Sequence, residues 1–371
     1  MPGKNQKNVA KSADALQIGS LREKEERICG RACGFLDGIS PAPTLLAPRG
    51  GPCDKTFVST EVRERRRSLL ESLSIVRLTE LLRPAFPGST IKSFEQLQGG
   101  CSNVNLLIRF YPEASPVVLR IYVHHAACKK EIDLLTAART VLPVPEIIYA
   151  DETGKEGIGP YVLYSYIEGT TFQELKKSGS PEDISQAAFA MGETLSCLQN
   201  VPVPYALSSS PYAAVDEFLN SPTLRTRLGA RGIDELSNFL SVWRAELASL
   251  NKVNSLVHGD FNNRNTILRR KDGRWRVVGV LDWESAFSGS PLWDAARFIC
   301  YEKKSRPCRE PHFSDGFRAG GGKLPDRWDE FSRVVNAVSA AHGLSCVDLQ
   351  AQFVPELCAL IAAITNGRDP D

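Results

Sequence analysis

At 371 residues the chain is too long for one minimal domain and too short for three, which leaves room for a two-lobed body with a sizeable core. Its 42% hydrophobic and 24% charged residues exclude wholesale disorder, a collagen-like fibre and a membrane bundle. The net charge of +2 provides no global field for nucleic acid or a membrane surface, and the excess sits early: residues 1–85 carry +5, residues 86–170 carry −2 and the rest −1.

Residues 1–60 contain Pro- and Gly-rich clusters at 38–43 and 48–52 with little apolar periodicity. They read as a loosely ordered extension with a short helix near Ser20–Cys29. The start lacks the apolar stretch of a secretory signal. The longest apolar run, Cys358–Ile364, is far short of the ~18–20 residues of a membrane helix. A cytoplasmic protein with no membrane partner is therefore expected. The ten cysteines are scattered, Cys29 and Cys33 have no completing histidine, and reduced thiols are the expectation.

A single helix is expected over Glu61–Leu82, with Leu69, Leu70, Leu73, Val76, Leu81 and Leu82 on one face, ending at Arg83-Pro84. Its Arg63–Arg67 run has no interleaved aromatics, so it reads as a solvated face and no nucleic-acid partner is expected. The period then changes to strands over Ile91–Leu97, Val104–Phe110 and Val117–Val123. A helix follows at Cys128–Thr140, then strands at Ile147–Ala150 and Tyr161–Ile167. After Gly169 helices are expected at Ile184–Gln199, Ala214–Asn220, Ile233–Leu250, Phe331–Ala341 and Leu349–Ile364. A hairpin, Thr266–Arg269 with Trp275–Leu281, turns at Lys271-Asp272-Gly273. The expected class is α+β: an extension (1–60), a small antiparallel-sheet lobe (61–168) and a larger, mainly helical lobe (169–371).

The chemistry is concentrated in Leu256–Leu268 and Gly279–Glu284. Asp260 and Asn265 bracket a polar loop between apolar runs, and Asp282 ends an apolar strand. An Asp and an Asn offer hard oxygen ligands suited to magnesium, which keeps some waters and takes phosphate oxygens besides. A second, unligated Asp can accept or orient a hydroxyl proton. These are the parts that phosphoryl transfer uses, positioning and charge neutralisation.

His258-Gly259-Asp260, Asn265 five residues later, and Leu281-Asp282-Trp283-Glu284 resemble the aminoglycoside phosphotransferase and choline kinase-like superfamily, which has a protein-kinase-like fold. Phe287–Asp294 resembles the segment that follows in that family, and the likeness runs over about residues 70–365. It implies Asp260 as catalytic base or hydroxyl orienter, and Asn265 and Asp282 as magnesium ligands against the phosphates of ATP or GTP. His258 is expected to be structural, Asn262 and Asn263 to shape the loop, and Asp294 to tether it as a helix-start carboxylate.

In the small lobe, Gly99-Gly100-Cys101-Ser102-Asn103 lies between two strands, where small residues let backbone N–H groups approach phosphate, with Gly100, Ser102 and Asn103 as candidates. A plain hairpin turn is the competing reading. Arg120 is a cation within the apolar Val117–Val123 strand. The resemblance implies that it clamps phosphates and pairs with Glu131, with Arg in place of the usual Lys. Backbone groups of Ser165, Tyr166 and Ile167 are the candidate adenine contacts at the hinge.

Gly259 stands where protein kinases carry the Arg that reads a phosphorylated activation loop, and the segment from Asp282 to Pro291 is too short to dock a peptide. Both point to a small-molecule hydroxyl as acceptor, an antibiotic or a metabolic alcohol. The near-neutral large lobe tilts toward a less cationic one. Glu284 and the Tyr301–Lys323 segment are candidate acceptor contacts. Gly320-Gly321-Gly322-Lys323 is not a P-loop, because Leu324 replaces the required Ser/Thr. The alternative is a nucleotide-binding pseudokinase acting as a regulatory module. The oligomeric state is left open.

Overall fold

The computed structural model describes residues 60–97, 103–112, 114–154, 158–201, 203, 207, 215–250, 252–304, 310–347, 349 and 351–367. Residues 1–59, with the helix expected near Ser20–Cys29, lie outside this set, as do Gly100 and Ser102.

The helix expected over Glu61–Leu82 is two helices, α1 (Thr60–Ser72) and α2 (Ile75–Leu82). Ser74 makes the break: its backbone is extended and its hydroxyl accepts the Arg77 amide at 3.2 Å, the N-cap geometry that serine favours. Strands β1 (Thr90–Gln96), β2 (Val104–Tyr111), β3 (Val117–Ile121), β4 (Ile147–Asp151) and β5 (Tyr161–Ser165) form one antiparallel sheet in the order β1-β2-β3-β5-β4. Helix α3 (His125–Ala138) connects β3 to β4.

Alternation along β3 decides which side chains reach the cleft. Val117, Leu119 and Ile121 pack with Leu78, Leu81 and Leu82 of α2 in the small-lobe core. Val118 and Tyr122, and hence Arg120 between them, face α3 and the large lobe.

The large lobe opens with β6 (Thr170–Thr171) and α4 (Phe172–Ser178), held by a reciprocal Thr171–Glu174 capping box. Helix α5 (Pro181–Ser196) starts with Ser180 as N-cap and Pro181 in its first turn, and runs into a 3-10 turn, Cys197–Asn200. Helix α6 (Val215–Leu219) is the one expected over Ala214–Asn220, whereas α7 (Pro222–Ser241, interrupted at Gly229) and α8 (Arg244–Leu250) replace the one expected over Ile233–Leu250. Strands β7 (Ser255–Val257), β8 (Thr266–Lys271), β9 (Arg274–Val280) and β10 (Phe287–Gly289) follow. The β8–β9 hairpin is the expected one, whereas β7 and β10 pair with each other and are too short to show a period. Helices α9 (Leu292–Lys304), α10 (His312–Ala319), α11 (Trp328–Ser345) and α12 (Val354–Thr365) complete the lobe. The architecture is α+β, a small antiparallel-sheet lobe followed by a mainly helical one.

Glycines let α5 and α10 pack backbone to backbone. A Cβ on Gly192 would run into Phe313 O, and one on Gly316 into Phe189 O. Among the described residues no helix is long and apolar enough to cross a membrane.

His342 lies buried in α11, edge-on to Phe218 with ring centroids 6.0 Å apart. Burial pulls its imidazolium from the ordinary 6.5 down to about 4. The folded state therefore binds fewer protons than the unfolded chain between these values, so stability is kept above pH 6.5 and lost as pH falls toward 4. By linkage about 2 kcal/mol is lost between pH 7 and pH 5. Urea unfolding at the two pH values should show that drop in wild type and a smaller one in His342→Gln; equal drops would contradict the assignment.

Candidate active site

Strand β7 delivers the chain into His258-Gly259-Asp260, and β10 beside it fixes the direction through the Val257–Phe287 pair. Gly259 takes φ +79°, and a Cβ there would collide with Ser285 O, so glycine serves both the turn and the close approach. Asp294, in the first turn of α9, accepts the amides of His258 at 2.7 Å and Gly259 at 2.9 Å. Burial pushes its carboxyl upward, against the downward pull of His258, Arg297 and these amides. One turn further along α9, Arg297 donates to Gly259 O, so one helix face braces the loop through donors and acceptors alike. A D-x-x-R spacing in the sequence carries that signal, and Arg297 is a residue the sequence reading missed.

His258 is fully buried. Its Nδ1 accepts the Asp260 amide at 3.2 Å and its Nε2 donates to Leu281 O at 3.0 Å. Both ring nitrogens are used internally, so His258 shapes the loop. The Asp260 carboxylate is aimed by two amides: Asn262 Nδ2 reaches Oδ1 at 3.0 Å and Asn265 Nδ2 reaches Oδ2 at 2.8 Å. Asn262 Oδ1 in turn accepts the amides of Arg264 and Asn265 at 2.9 and 3.1 Å. Asn265 Nδ2 also donates to Asp260 O at 2.9 Å, which leaves Oδ1 as the acceptor end of that side chain.

The Leu281 amide donates to Asn265 O at 2.8 Å and joins the loop to the end of β9. The next residue, Asp282, takes the left-handed φ of +66°, a conformation Asp tolerates better than most residues. That turn brings Asp282 Oδ1 to 3.0 Å from Arg120 Nη2. Arg120 is ringed by three carboxylates. Its Nη2 also donates to Glu284 Oε2 at 2.9 Å, and its Nε lies 3.1 Å from Glu131 Oε2 as an ion pair without hydrogen-bond alignment. Burial opposes the charge on Arg120, but Glu131, Asp282 and Glu284 outweigh it and hold the guanidinium well above its ordinary range. Glu131 is pushed up by its own burial, partly offset by Arg120, and it accepts the Tyr122 hydroxyl at 2.8 Å.

Two expectations are corrected. Glu284, expected to contact the acceptor, turns to Arg120 and to Asn103 Nδ2 at 2.8 Å. The Asn103 side chain is engaged in the fold, its Oδ1 accepting the Val123 amide at 3.3 Å. The hinge strand ends at Ser165, whose amide donates to Glu146 O and whose Oγ accepts the Glu146 amide, both at 2.9 Å. Ser165 N–H is thereby taken up by the sheet. Tyr166, 39% exposed, and Ile167 lie beyond the strand, with Ile167 packed over Gly279. Lys130, missed in the sequence, donates to Glu284 O at 2.9 Å, and burial brings its ammonium down to about 8.

Among the described residues no group of three His, Cys, Asp or Glu side chains could hold a metal by itself. The Leu281–Asn265 backbone bond ties the strand end that carries Asp282 to the loop that carries Asn265, and an Asp carboxylate and an Asn carbonyl are the hard oxygen donors that magnesium takes beside phosphate and water.

Residues 93–331 match the model of the phosphotransferase enzyme family (APH). The chain belongs to this family. Among curated proteins, acyl-CoA dehydrogenase family member 11 of Homo sapiens and of Pongo abelii are each 30% identical over 166 residues, 43% of this chain and 21% of theirs. The chain thus spans about a fifth of the length of these relatives. Among solved structures, wild-type aminoglycoside 2'-phosphotransferase-IIIa with GDP aligns at a TM-score of 0.60 and 17% identity, over 80% of this chain and 99% of that one. The streptomycin–ATP ternary complex of APH(2'')-IIa aligns at 0.54 and 17%, over 78% and 99%. At these identities the likeness is one of fold.

Proposed function

We propose that the protein moves the γ-phosphoryl of ATP or GTP to a hydroxyl of a small molecule. The observation that carries this reading is the Asp260 carboxylate aimed by two amides, in a loop tied by the Leu281 amide to the strand end whose next residue, Asp282, pairs with Arg120. Asn265 and Asp282 would hold magnesium, which when bound neutralises charge on the nucleotide phosphates. Asp260 orients the acceptor hydroxyl and takes its proton as the phosphoryl group transfers. Arg120, kept charged by its acidic ring, supplies a guanidinium for phosphate oxygens. Tyr166 and Ile167 offer hinge backbone to the base. Residues 61–168 then form the phosphate side, and 169–371 the catalytic and acceptor side.

The test is a product assay with Mg-ATP or Mg-GTP and a panel of aminoglycosides, amino alcohols and hydroxyacyl thioesters, the last because the matched relatives bear an acyl-CoA name. Phosphorylated product from at least one acceptor is expected. Nucleotide binding without any product, equal in wild type and Asp260→Ala, would favour a regulatory module. Asp282→Ala is expected to abolish magnesium-dependent nucleotide binding in calorimetry, and unchanged affinity would remove the metal assignment.

A further inference from the structure

Helix α1 precedes the segment matched by the family, which begins at residue 93, yet it is docked on the small lobe. Val62 is buried against Val123, just past β3, while Leu69, Leu70 and Leu73 pack on the small-lobe core. Arg66 is half-buried on this same face, whereas Arg63, Glu64, Arg65 and Arg67 are exposed. Positions 62, 66, 69, 70 and 73 have the spacing of a helix face laid on a core. Arg66 therefore differs from the other arginines of its run, which form the solvated face.

From that face Arg66 Nε donates to Asn103 O at 3.1 Å. The Asn103 side chain bridges the Val123 amide and Glu284 Oε2, and the same Glu284 oxygen accepts from Arg120 Nη2. Arg120 Nη2 also meets Asp282. A continuous polar chain thus runs from α1 through Asn103, Glu284 and Arg120 to the carboxylate placed against the nucleotide phosphates. Fixing the Asn103 carbonyl fixes the point from which its side chain must reach both partners. A bond from a charged donor is the stronger kind of hydrogen bond.

We infer that Arg66 is a positioning residue for nucleotide binding, supplied by a helix outside the family segment, and that it acts through Asn103 and Glu284 on Arg120. The inference rests on the phosphotransferase reading above. Arg66 touches no reacting atom; it sets how Arg120 is shared between Glu284 and Asp282.

The experiment titrates the full-length protein with Mg-ATP and with Mg-GTP by calorimetry and measures steady-state kinetics on the best acceptor. Arg66→Met, which keeps an apolar stem and loses the donor, should weaken binding of the preferred nucleotide about five-fold, the size of one partly exposed hydrogen bond. Its nucleotide KM should rise in step, with kcat and acceptor KM unchanged. Arg66→Lys, which retains a donor at similar reach, should recover most of the affinity, and Arg65→Met on the exposed face should match wild type. In a Glu284→Gln background the Arg66→Met effect should shrink, because the chain is already interrupted. Equal affinity of wild type and Arg66→Met per folded molecule, with or without a lower melting temperature, overturns the inference and leaves the phosphotransferase reading standing. A full five-fold effect persisting in Glu284→Gln overturns the route through Glu284. Wild type that binds neither nucleotide overturns both readings.

Discussion

Asp260→Ala is expected to lower kcat for phosphoryl transfer by about a thousand-fold, within the 10²–10⁴ range of a positioned general base. Nucleotide affinity should stay close to wild type. The expectation comes from how the side chain is held. Asn262 and Asn265 each spend an amide on one carboxylate oxygen, and the loop beneath is tied to Asp294 and Arg297. Removing the carboxylate takes one acceptor from each amide, while Asn262 Oδ1 still holds the Arg264 and Asn265 amides and Asn265 Nδ2 still reaches the carbonyl of residue 260, so the loop keeps its other ties. The loss therefore falls on the transfer step. Single-turnover kinetics on the best acceptor, with melting as a control, separate the two effects. A reduction below ten-fold would place the proton acceptor elsewhere.

Gly192→Val is expected to be the most damaging single change to the fold, costing about 3 kcal/mol or more through overpacking. Ordinary overpacking displaces side chains, which have rotamers to spare. Here the added atoms meet the backbone carbonyl of Phe313 and the amide of Phe317, so α5 and α10 must separate. Phe313 is buried and stacked on Phe298 at 4.1 Å, and Phe298 lies on α9 with Asp294 and Arg297. Separation should therefore loosen the brace of the catalytic loop as well as the core. Chemical denaturation should show the drop in midpoint, and Glu182→Val, exposed on the same helix, should show almost none. Equal midpoints for the two variants would mean that the helices do not pack at this distance.

The legible part of the fold was the part written in local periods. Strands β1 to β5, α3 and the β8–β9 hairpin follow from strand and helix periods and turn chemistry, whereas the face of β3 that Arg120 takes came from the structure, because its neighbours are apolar on both sides. The helix drawn through Leu73-Ser74 failed because a serine cap competes locally with a continuing apolar stripe, and the pattern alone does not rank them. Strands β7 and β10 escaped because three residues hold too little of a two-residue period to register.

In the site, chain-local spacing brought out Asp260, Asn265 and Asp282, since a short loop and the strand beside it must lie together. Of the partners of Arg120, Glu131 came with the family resemblance, whereas the two from the far end of the chain did not show. Asp282 and Glu284 are 162 and 164 residues distant, and Arg66 lies 37 residues from the Asn103 carbonyl it binds.

Length, composition and charge by themselves determined a chain large enough for two lobes, with its positive excess outside the catalytic body. The motifs added which residue types lie close along the chain. Only the tertiary structure decided that part of that basic segment turns inward, that Glu284 bonds to Arg120 and Asn103, and that glycines let α5 and α10 meet. The physical reason is the same in each case. Periodicity and spacing fix which face a side chain takes, whereas its partner across the cleft depends on where distant segments come to rest when the core closes.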